Sequence, residues 1–358
     1  MSRRGGERCL ESFARLLPGA ELFTLLHDPR RCPAPPEVAA VHTSSLQRVP
    51  GARRHFRLWL RQFPRYFGEF DLSGFDRVVS SDASVAKTVR VPEGVPHLCY
   101  CYSPLRYAHE LRETYLEGSV PAPLRPVARR ILDGVAAADK EAAARVTTFV
   151  AVSRHVAERI ARTYDREAEV VYPPVETGFY TPAPAGEADP RDPAERPYLL
   201  LGEAVAYKRF DLGLEACKRL DRPLVVAGGA RRLRKLRKRA GPRTTFVPDP
   251  DDTVVRELLR SCRALLFPGE EDFGLVPVEA MACGRPVIAY GVGGAAETVV
   301  HGETGILYQE AGAEGLINAI RHFEERESRF DPSDAVRRAG IFSVDQHEAA
   351  MGQLFAAL

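Results

Sequence analysis

Short runs of β-branched and other apolar residues alternate along the chain with stretches where apolar residues recur every three or four positions. That alternation is the signature of strand–helix–strand units and parallel sheets. In the first half it predicts strands near Glu21–Leu26, Arg77–Ser80, His97–Tyr102, Thr147–Val152 and Ala168–Tyr172. Helices are expected at Glu7–Leu17, Pro123–Ala144 and Arg154–Tyr164, the first with Cys9, Leu10, Phe13, Leu16 and Leu17 as its core stripe. From Pro173 to Pro197 the period lapses into proline, glycine and acids, the composition of a linker. Beyond it the strands Tyr198–Gly202, Pro223–Ala227, Thr244–Val247, Ala264–Phe267, Pro286–Ala289 and Gly305–Tyr308 are expected. Helices fill the gaps at Arg209–Leu220, Arg231–Arg239, Asp252–Cys262, Val276–Cys283 and Ala313–Glu325, and two more, Ser333–Ala339 and Val344–Ala357, close the chain. The reading is two doubly wound α/β domains, 1–175 and 198–327, joined by a linker at 176–197 and followed by helices in 328–358. Such sheets bind ligands at the carboxyl ends of their strands.

Composition narrows the function classes. With 50 Lys+Arg against 48 Asp+Glu the formal charge is +2, which argues against nucleic acid as the main partner. A hydrophobic content of 45% and a charged content of 27% are those of an ordinary globular protein. No apolar run approaches the ~20 residues that span a bilayer, and the opening MSRRGGERCLE has no apolar core of a signal peptide. The seven cysteines are scattered and form no CxxC, so they read as buried thiols in a reducing, cytoplasmic setting. Gly5-Gly6 would be a tight turn presenting helix amides to an anion. Such a turn needs a strand before it, and only Met1–Arg4 precede it. Either this domain lacks its first strand, or the true start lies upstream, which we favour, or the glycines are a frayed terminus.

The strongest chemical signal is Glu271-Asp272-Phe273-Gly274-Leu275-Val276-Pro277-Val278-Glu279. It reads as an acidic loop after a strand, opening a helix at Leu275–Val276. The first amides of a helix lack partners within it, and the helix dipole favours an anion there. Glu271 and Glu279 bracket the turn, so both can face one ligand, and carboxylates accept hydrogen bonds from sugar hydroxyls. The purely structural alternative makes Glu271 a helix cap and Glu279 a solvated helix residue.

Continued through Ala280–Ala289, this run resembles the E-x7-E region of GT-B glycosyltransferases of family 4. Agreeing segments are Leu201–Leu212, Gly291–Val299, Gly302–Gly305 and Gly5–Arg8. Ser80-Ser81, Tyr100–Tyr107 and Tyr172–Val175 are similar to a bacterial subset that includes O-antigen and exopolysaccharide mannosyltransferases. The resemblance implies a GT-B fold, two Rossmann-like domains facing across a cleft, with the C-terminal helix crossing back to the first domain. It implies a retaining hexosyltransferase that uses a nucleotide-sugar, GDP-mannose favoured, with no metal or other cofactor. The acceptor would be lipid-linked or a polysaccharide, in cell-surface glycan synthesis. Glu271 would hold hydroxyls of the transferred sugar and Glu279 the ribose. Amides of Phe273, Gly274 and Leu275 would face sugar and phosphates, beside Gly202. Lys208 would neutralise the leaving diphosphate, an interaction that grows in the transition state. Gly5, Gly6, Tyr102, Arg106 and Tyr107 would lie on the acceptor side. Two positions depart from the family: Glu203 stands where a cation is usual, and Tyr102 where histidine is. An acid at 203 would repel phosphate unless it is turned away or paired, for example with Arg209. These departures motivate an alternative, a non-catalytic nucleotide-sugar-binding or assembly subunit with a degenerate site.

Weaker signals have bland readings beside them. Asp249-Pro250-Asp251 matches a metal-nucleotide motif of the other main glycosyltransferase fold, yet Asp251 or Asp252 would more simply cap the next helix. In Arg53–Phe67, Arg53, Arg57, Arg61 and Arg65 recur every four residues, with Phe56, Trp59, Leu60 and Phe63 on the other flank and Pro64 as a breaker. This is either a basic amphipathic face for anionic lipid at the inner surface of the cell membrane, or a surface helix docked on its own domain. Arg231–Arg239 carries seven cations in nine positions, and a solvated helix face or attraction to lipid head groups accounts for it.

Overall fold

A computed structural model of the chain describes residues 5–110, 112–184, 186 and 191–358, with only the backbone described for Arg57, Leu58, Thr114, Gly118, Ser119 and Pro193. The residues that would hold a strand preceding Gly5-Gly6, Met1–Arg4, lie outside the described residues. The chain divides into two compact units, Gly6–Tyr172 with Glu348–Leu358, and Pro173–His347, with which Gly5 is grouped.

In the unit of Gly6–Tyr172 the helix begins at Gly5 and runs to Leu16, so Gly5 and Gly6 form its first turn and not a separate loop ahead of it. The strands are β1 (Glu21–Thr24), β2 (Ala40–Thr43), β3 (Val78–Asp82), β4 (His97–Cys101), β5 (Thr148–Ala151) and β6 (Glu169–Val170). All pairings are parallel, but the described sheet is in two pieces, β1-β2 and β3-β4-β5-β6. The short, half-exposed β2 follows a proline-rich stretch and has no clear alternation, and the sequence did not suggest it. β4 is buried along its whole length. Phe13 of the first helix packs edge-on against Tyr100 of β4 and Phe355 near the C-terminus, at 5.2 and 5.8 Å between centroids. Arg77 Nη1 donates to the Phe355 carbonyl at 3.0 Å, so the last turns of the helix Val344–Ala356 belong to this unit.

The second unit holds β7 (Tyr198–Leu201), β8 (Leu224–Gly228), β9 (Thr244–Pro248), β10 (Leu265–Phe267), β11 (Val287–Tyr290) and β12 (Gly305–Tyr308). They form one parallel sheet in the order β12-β11-β10-β7-β8-β9. This is the doubly wound arrangement: the chain builds outward from β7, returns to its other side at β10, and builds outward again. Central strands buried on both faces need continuous apolar runs, and Tyr198, Leu200, Val226, Leu266 and Ile288 supply them, each at most 1% exposed. The helices Phe210–Leu220 and Ala313–Glu324 close one face with Leu214, Leu316, Ile320 and Phe323. β9 is weaker, half-exposed along most of its length.

Six cysteines are buried, as expected, but Cys32 is exposed, in the connection between β1 and β2. Burial pushes the thiols of Cys9, Cys217, Cys262 and Cys283 up to about 12. Two outcomes follow from this burial. Iodoacetamide under native conditions labels Cys32 alone, and the other six react only in urea; fast labelling of a second cysteine in the native protein contradicts the packing. Above pH 9 the unfolded chain gives up thiol protons that the folded chain keeps, so stability falls as pH rises toward 12. Each such thiol removes about 1 kcal/mol per pH unit in that window, read from urea midpoints.

Candidate active site

The site follows from the strand order. β7 and β10 are neighbours, and the sheet changes direction between them. Their connections therefore leave the carboxyl edge on either side of one crevice, the usual ligand position in such sheets. After β7 come Gly202, Glu203 and a 3-10 turn Ala206–Lys208; after β10 come Pro268–Gly274 and the helix Leu275–Ala282. The two segments touch through backbone. A Cβ at Gly269 would lie 2.6 Å from the Lys208 Cα, so only glycine allows this approach. Gly294 is likewise closed to a side chain by the backbone of Phe273, and its N–H donates to the Glu271 carbonyl at 2.8 Å. Glu271 is thus held from both sides, and a parallel bridge to Gly293 fixes its backbone.

These contacts bring Lys208 and Glu271 together. Nζ lies 2.8 Å from Oε1, with the side chains 15% and 17% exposed. Arg209, next to Lys208, sits in the left-handed region at φ 50°, a conformation that costs a non-glycine residue of order 1 kcal/mol. Glu279 is buried, which removes the solvated-helix alternative. Phe273 is buried as well, and Gly274 and Leu275 open the helix behind Glu271.

Glu203 turns across the end of β7 toward β8. Its Oε2 lies 3.1 Å from Arg232 Nε, in the helix Ala230–Leu236. Its partner is therefore not Arg209, which is engaged with Asp211 at 3.2 Å because Arg209 begins the next helix on the far side of Lys208. Asp251 accepts from the Val254 amide at 2.8 Å and Asp249 from the Ala230 amide at 3.1 Å, both as caps. Among the described residues no group of three His, Cys, Asp or Glu converges as metal ligands.

Tyr102 is in the other unit, immediately after β4. Its hydroxyl lies 3.0 Å from Ser81 Oγ and donates to the Gly6 carbonyl at 3.4 Å. Burial, first of all, drives Tyr102 well above the ordinary phenol range, so it is a neutral hydroxyl and not a base. Arg106 and Tyr107 are half-buried in the loop that follows. The helix expected in Arg53–Phe67, broken at Pro64, is instead three short pieces: Ala52–His55, a 3-10 stretch Phe56–Gln62, and Phe63–Phe67 with Pro64 in its first turn. At three residues per turn the four-residue arginine stripe cannot keep to one face. Arg53 and Arg61 are exposed and Trp59 is half-buried, while the side chain of Arg57 lies outside the described residues.

Residues 188–339 match the family model "Glycosyl transferases group 1". The matched stretch lies within the unit of Pro173–His347. The "D-inositol 3-phosphate glycosyltransferase" of Acidothermus cellulolyticus is 31% identical over 219 residues, 53% of this chain and 46% of that protein. The chain thus spans about half the length of such curated relatives. Among solved structures, "Sucrose-phosphate synthase" from Thermosynechococcus elongatus superposes with a TM-score of 0.75 at 21% identity, covering 98% of this chain and 91% of that one. Anabaena Alr3699/HepE "in complex with UDP-glucose" gives 0.68 at 16% identity, over 100% and 97%. The fold is GT-B.

Within the unit of Pro173–His347, sequence reasoning found Lys208 and Glu271 but not the residues that bring them together. Gly269 is a lone glycine after a strand, and Gly294 was noticed only as part of a glycine-rich match. Arg232 was one of seven cations in a run, with nothing to mark it from its neighbours. The two ion pairs differ in burial and should differ in strength. A Lys208→Ala/Glu271→Ala double-mutant cycle in urea gives a coupling of about 1–2 kcal/mol, whereas Glu203→Ala/Arg232→Ala gives under ~1 kcal/mol, as exposed pairs do. Equal couplings would mean that the Lys208–Glu271 pair is solvated.

Proposed function

We propose that this chain transfers a hexose from a nucleoside-diphosphate sugar to a hydroxyl acceptor. The observation that carries this reading is the Lys208–Glu271 pair, held where the strand order reverses in the unit of Pro173–His347. A transfer of this kind needs three things on one side of a sheet: a cation for the leaving diphosphate, acceptors for the sugar hydroxyls, and a group for the ribose. Lys208 supplies the first, and its attraction strengthens as the glycosidic bond breaks and charge collects on the leaving phosphate. Glu271 accepts from the sugar hydroxyls, the amides that open the helix Leu275–Ala282 face sugar and phosphates, and Glu279 serves the ribose. No residue is assigned as a covalent nucleophile, and the proposed course is attack on the face from which the diphosphate leaves, with retention of configuration.

The ion pair Glu203–Arg232 bears on the alternative of a degenerate, non-catalytic site. With Arg232 3.1 Å away, the carboxylate is countered locally, so its presence is compatible with an anionic donor. For the base, mannosyltransferase likeness favours GDP-mannose, whereas the HepE complex holds UDP-glucose. The acceptor of the A. cellulolyticus relative is, by its name, a phosphorylated polyol; likeness to the polysaccharide subset favours a lipid-linked or polymeric glycan at the inner face of the cell membrane. No helix among the described residues is long and apolar enough to cross a membrane, so contact with lipid would be peripheral.

Thermal unfolding with UDP, GDP and ADP in turn, without metal, tests the donor site. At 100 times its dissociation constant the true nucleotide adds ~2.7 kcal/mol, a shift of several degrees. One nucleotide is expected to stabilise alone; stabilisation by none makes the non-catalytic reading the better one. With the matching sugar nucleotide, Lys208→Ala and Glu271→Ala are expected to lower transfer ~100-fold or more. Rates within threefold of the parent would remove both from the mechanism.

A further inference from the structure

The unit of Gly6–Tyr172 contains a cavity of about 470 Å³ that none of the residues discussed for the donor enters. It lies where the carboxyl ends of β1 and β3 release Leu25–Asp28 and Ala83–Ala86. Three aromatic rings form one wall: Phe56, Phe63 and Phe67, from the segment whose basic stripe the structure dissolves. His27, Asp28, Arg31 and Arg53 form a polar rim. Its size is near the low end of the ~300–1,000 Å³ typical of small-molecule sites, too small for a polymer.

The rim and floor are built, not incidental. The Gln47 side-chain amide grips both backbone groups of His27, donating to its carbonyl at 2.9 Å and accepting from its N–H at 3.0 Å. Beneath the floor lies a buried charge network. Asp82 accepts from the amides of Ser84 and Ala86 at 3.1 and 2.8 Å and from Lys87 Nζ at 2.9 Å. Lys87 also reaches Asp139 at 2.7 Å and the Ser84 carbonyl at 3.2 Å. Asp139 accepts in addition from Tyr164 at 2.7 Å and lies 2.9 Å from His109 Nε2. Burial by itself would lower Lys87, but the carboxylates of Asp82 and Asp139 outweigh it and hold the amine well above its usual range. A network of this kind adds no more stability than well-packed apolar residues would. What it does is fix the backbone of residues 82–88 as a rigid floor.

The rim's charge indicates the ligand. Two guanidinium groups face one carboxylate, and Asp28 Oδ2 lies 3.9 Å from Arg31 and 3.6 Å from Arg53, both beyond hydrogen-bond length. Neither arginine is satisfied by Asp28, and arginine is well suited to carboxylate and phosphate. We propose that this cavity binds the acceptor, a small ring-bearing molecule with a carboxylate or phosphate, its ring against the three phenylalanines and its anion between Arg31 and Arg53. The word acceptor rests on the transfer reading above; the site and its ligand chemistry do not.

Calorimetric titration of the full chain tests it with matched probes: 4-nitrophenyl β-D-glucuronide, its neutral counterpart 4-nitrophenyl β-D-glucoside, and phenyl phosphate. The glucuronide or the phosphate is expected to bind at least tenfold more tightly than the glucoside. Arg53→Ala and Arg31→Ala each weaken that binding about fivefold or more and leave the glucoside unchanged. Phe56→Ala, at a position already 42% exposed and so tolerant of truncation, weakens every probe. Equal binding of acidic and neutral probes, binding indifferent to both arginines, or no binding at millimolar probe overturns the proposal. So does Arg53-dependent capture by phosphatidylglycerol vesicles without probe binding, which makes the segment a lipid face. Nucleotide stabilisation of the same preparation reads the donor site separately, so either reading can fail without the other.

Discussion

The reversal of strand order between β7 and β10 is the constraint on which the unit of Pro173–His347 depends. Two neighbouring parallel strands whose connections diverge to opposite faces must leave a crevice at their carboxyl ends. What the chain places there is then decided by how closely the two connections approach. Here they meet backbone to backbone at Gly269, so the reach of a lysine from one is matched to the reach of a glutamate from the other. A bulkier residue at 269 would push the segments apart and leave each charge to solvent. The geometry of the pair is thus a property of the sheet's topology and one absent side chain, and the glycine-rich turn at 291–294 holds the acidic partner from behind.

The two ion pairs at this edge are physically different objects. Lys208 and Glu271 are largely withdrawn from water, where an unmatched charge is expensive. The lysine's charge is met by a carboxylate whose hydrogen-bonding capacity suits hydroxyls; under the proposed function, a diphosphate that took over the lysine would leave Glu271 to the sugar. Exchange of partners costs less than exposure of a bare charge. Glu203 and Arg232 are more exposed, at 51% and 33%, and screening by solvent reduces their mutual attraction. Their effect is local electrostatic balance: the acid at the end of β7 is countered by a base from the neighbouring helix.

The strands and helices of residues 198–347 were legible because burial on both faces of the sheet demands continuous apolar runs, and the helices between carry clean three-to-four periodicity. Gly305–Tyr308 coincides with its expected span, and the other strands differ by one or two residues at the ends. The other unit was harder to read. β2 is half-exposed and short, and its sequence lacks the alternation that marks a strand. Over Arg53–Phe67 a four-residue repeat of arginine was present, but a repeat in composition is not a helix unless the backbone has 3.6 residues per turn, and here the middle piece is 3-10. Glu271 and Glu279 were legible in one run of consecutive residues, and Lys208 in a separate segment, Leu201–Leu212. Arg232 as the partner of Glu203, and the cavity between β1 and β3, are assembled from segments far apart in sequence, where no local pattern records the contact.

Charge is used in two ways in this molecule, and burial separates them. The Asp82–Lys87–Asp139 network is wholly enclosed, and every member is satisfied several times over. Such a network resists rearrangement, because moving one group strands another in a medium of low dielectric. It can hold backbone in place but cannot respond to a ligand. Lys208, Glu271, Arg53 and Arg31 retain access to water and have fewer or looser partners, so each can trade a partner at modest cost. A binding surface needs both kinds: groups free to exchange, mounted on backbone that does not move when they do. In the unit of Gly6–Tyr172 the enclosed network lies directly under the segment that lines the cavity, and the exchangeable arginines stand on its rim. In the unit of Pro173–His347 the support of the Lys208–Glu271 pair is supplied without charge, by backbone packing at Gly269 and Gly294, which leaves the ion pair itself free to exchange partners.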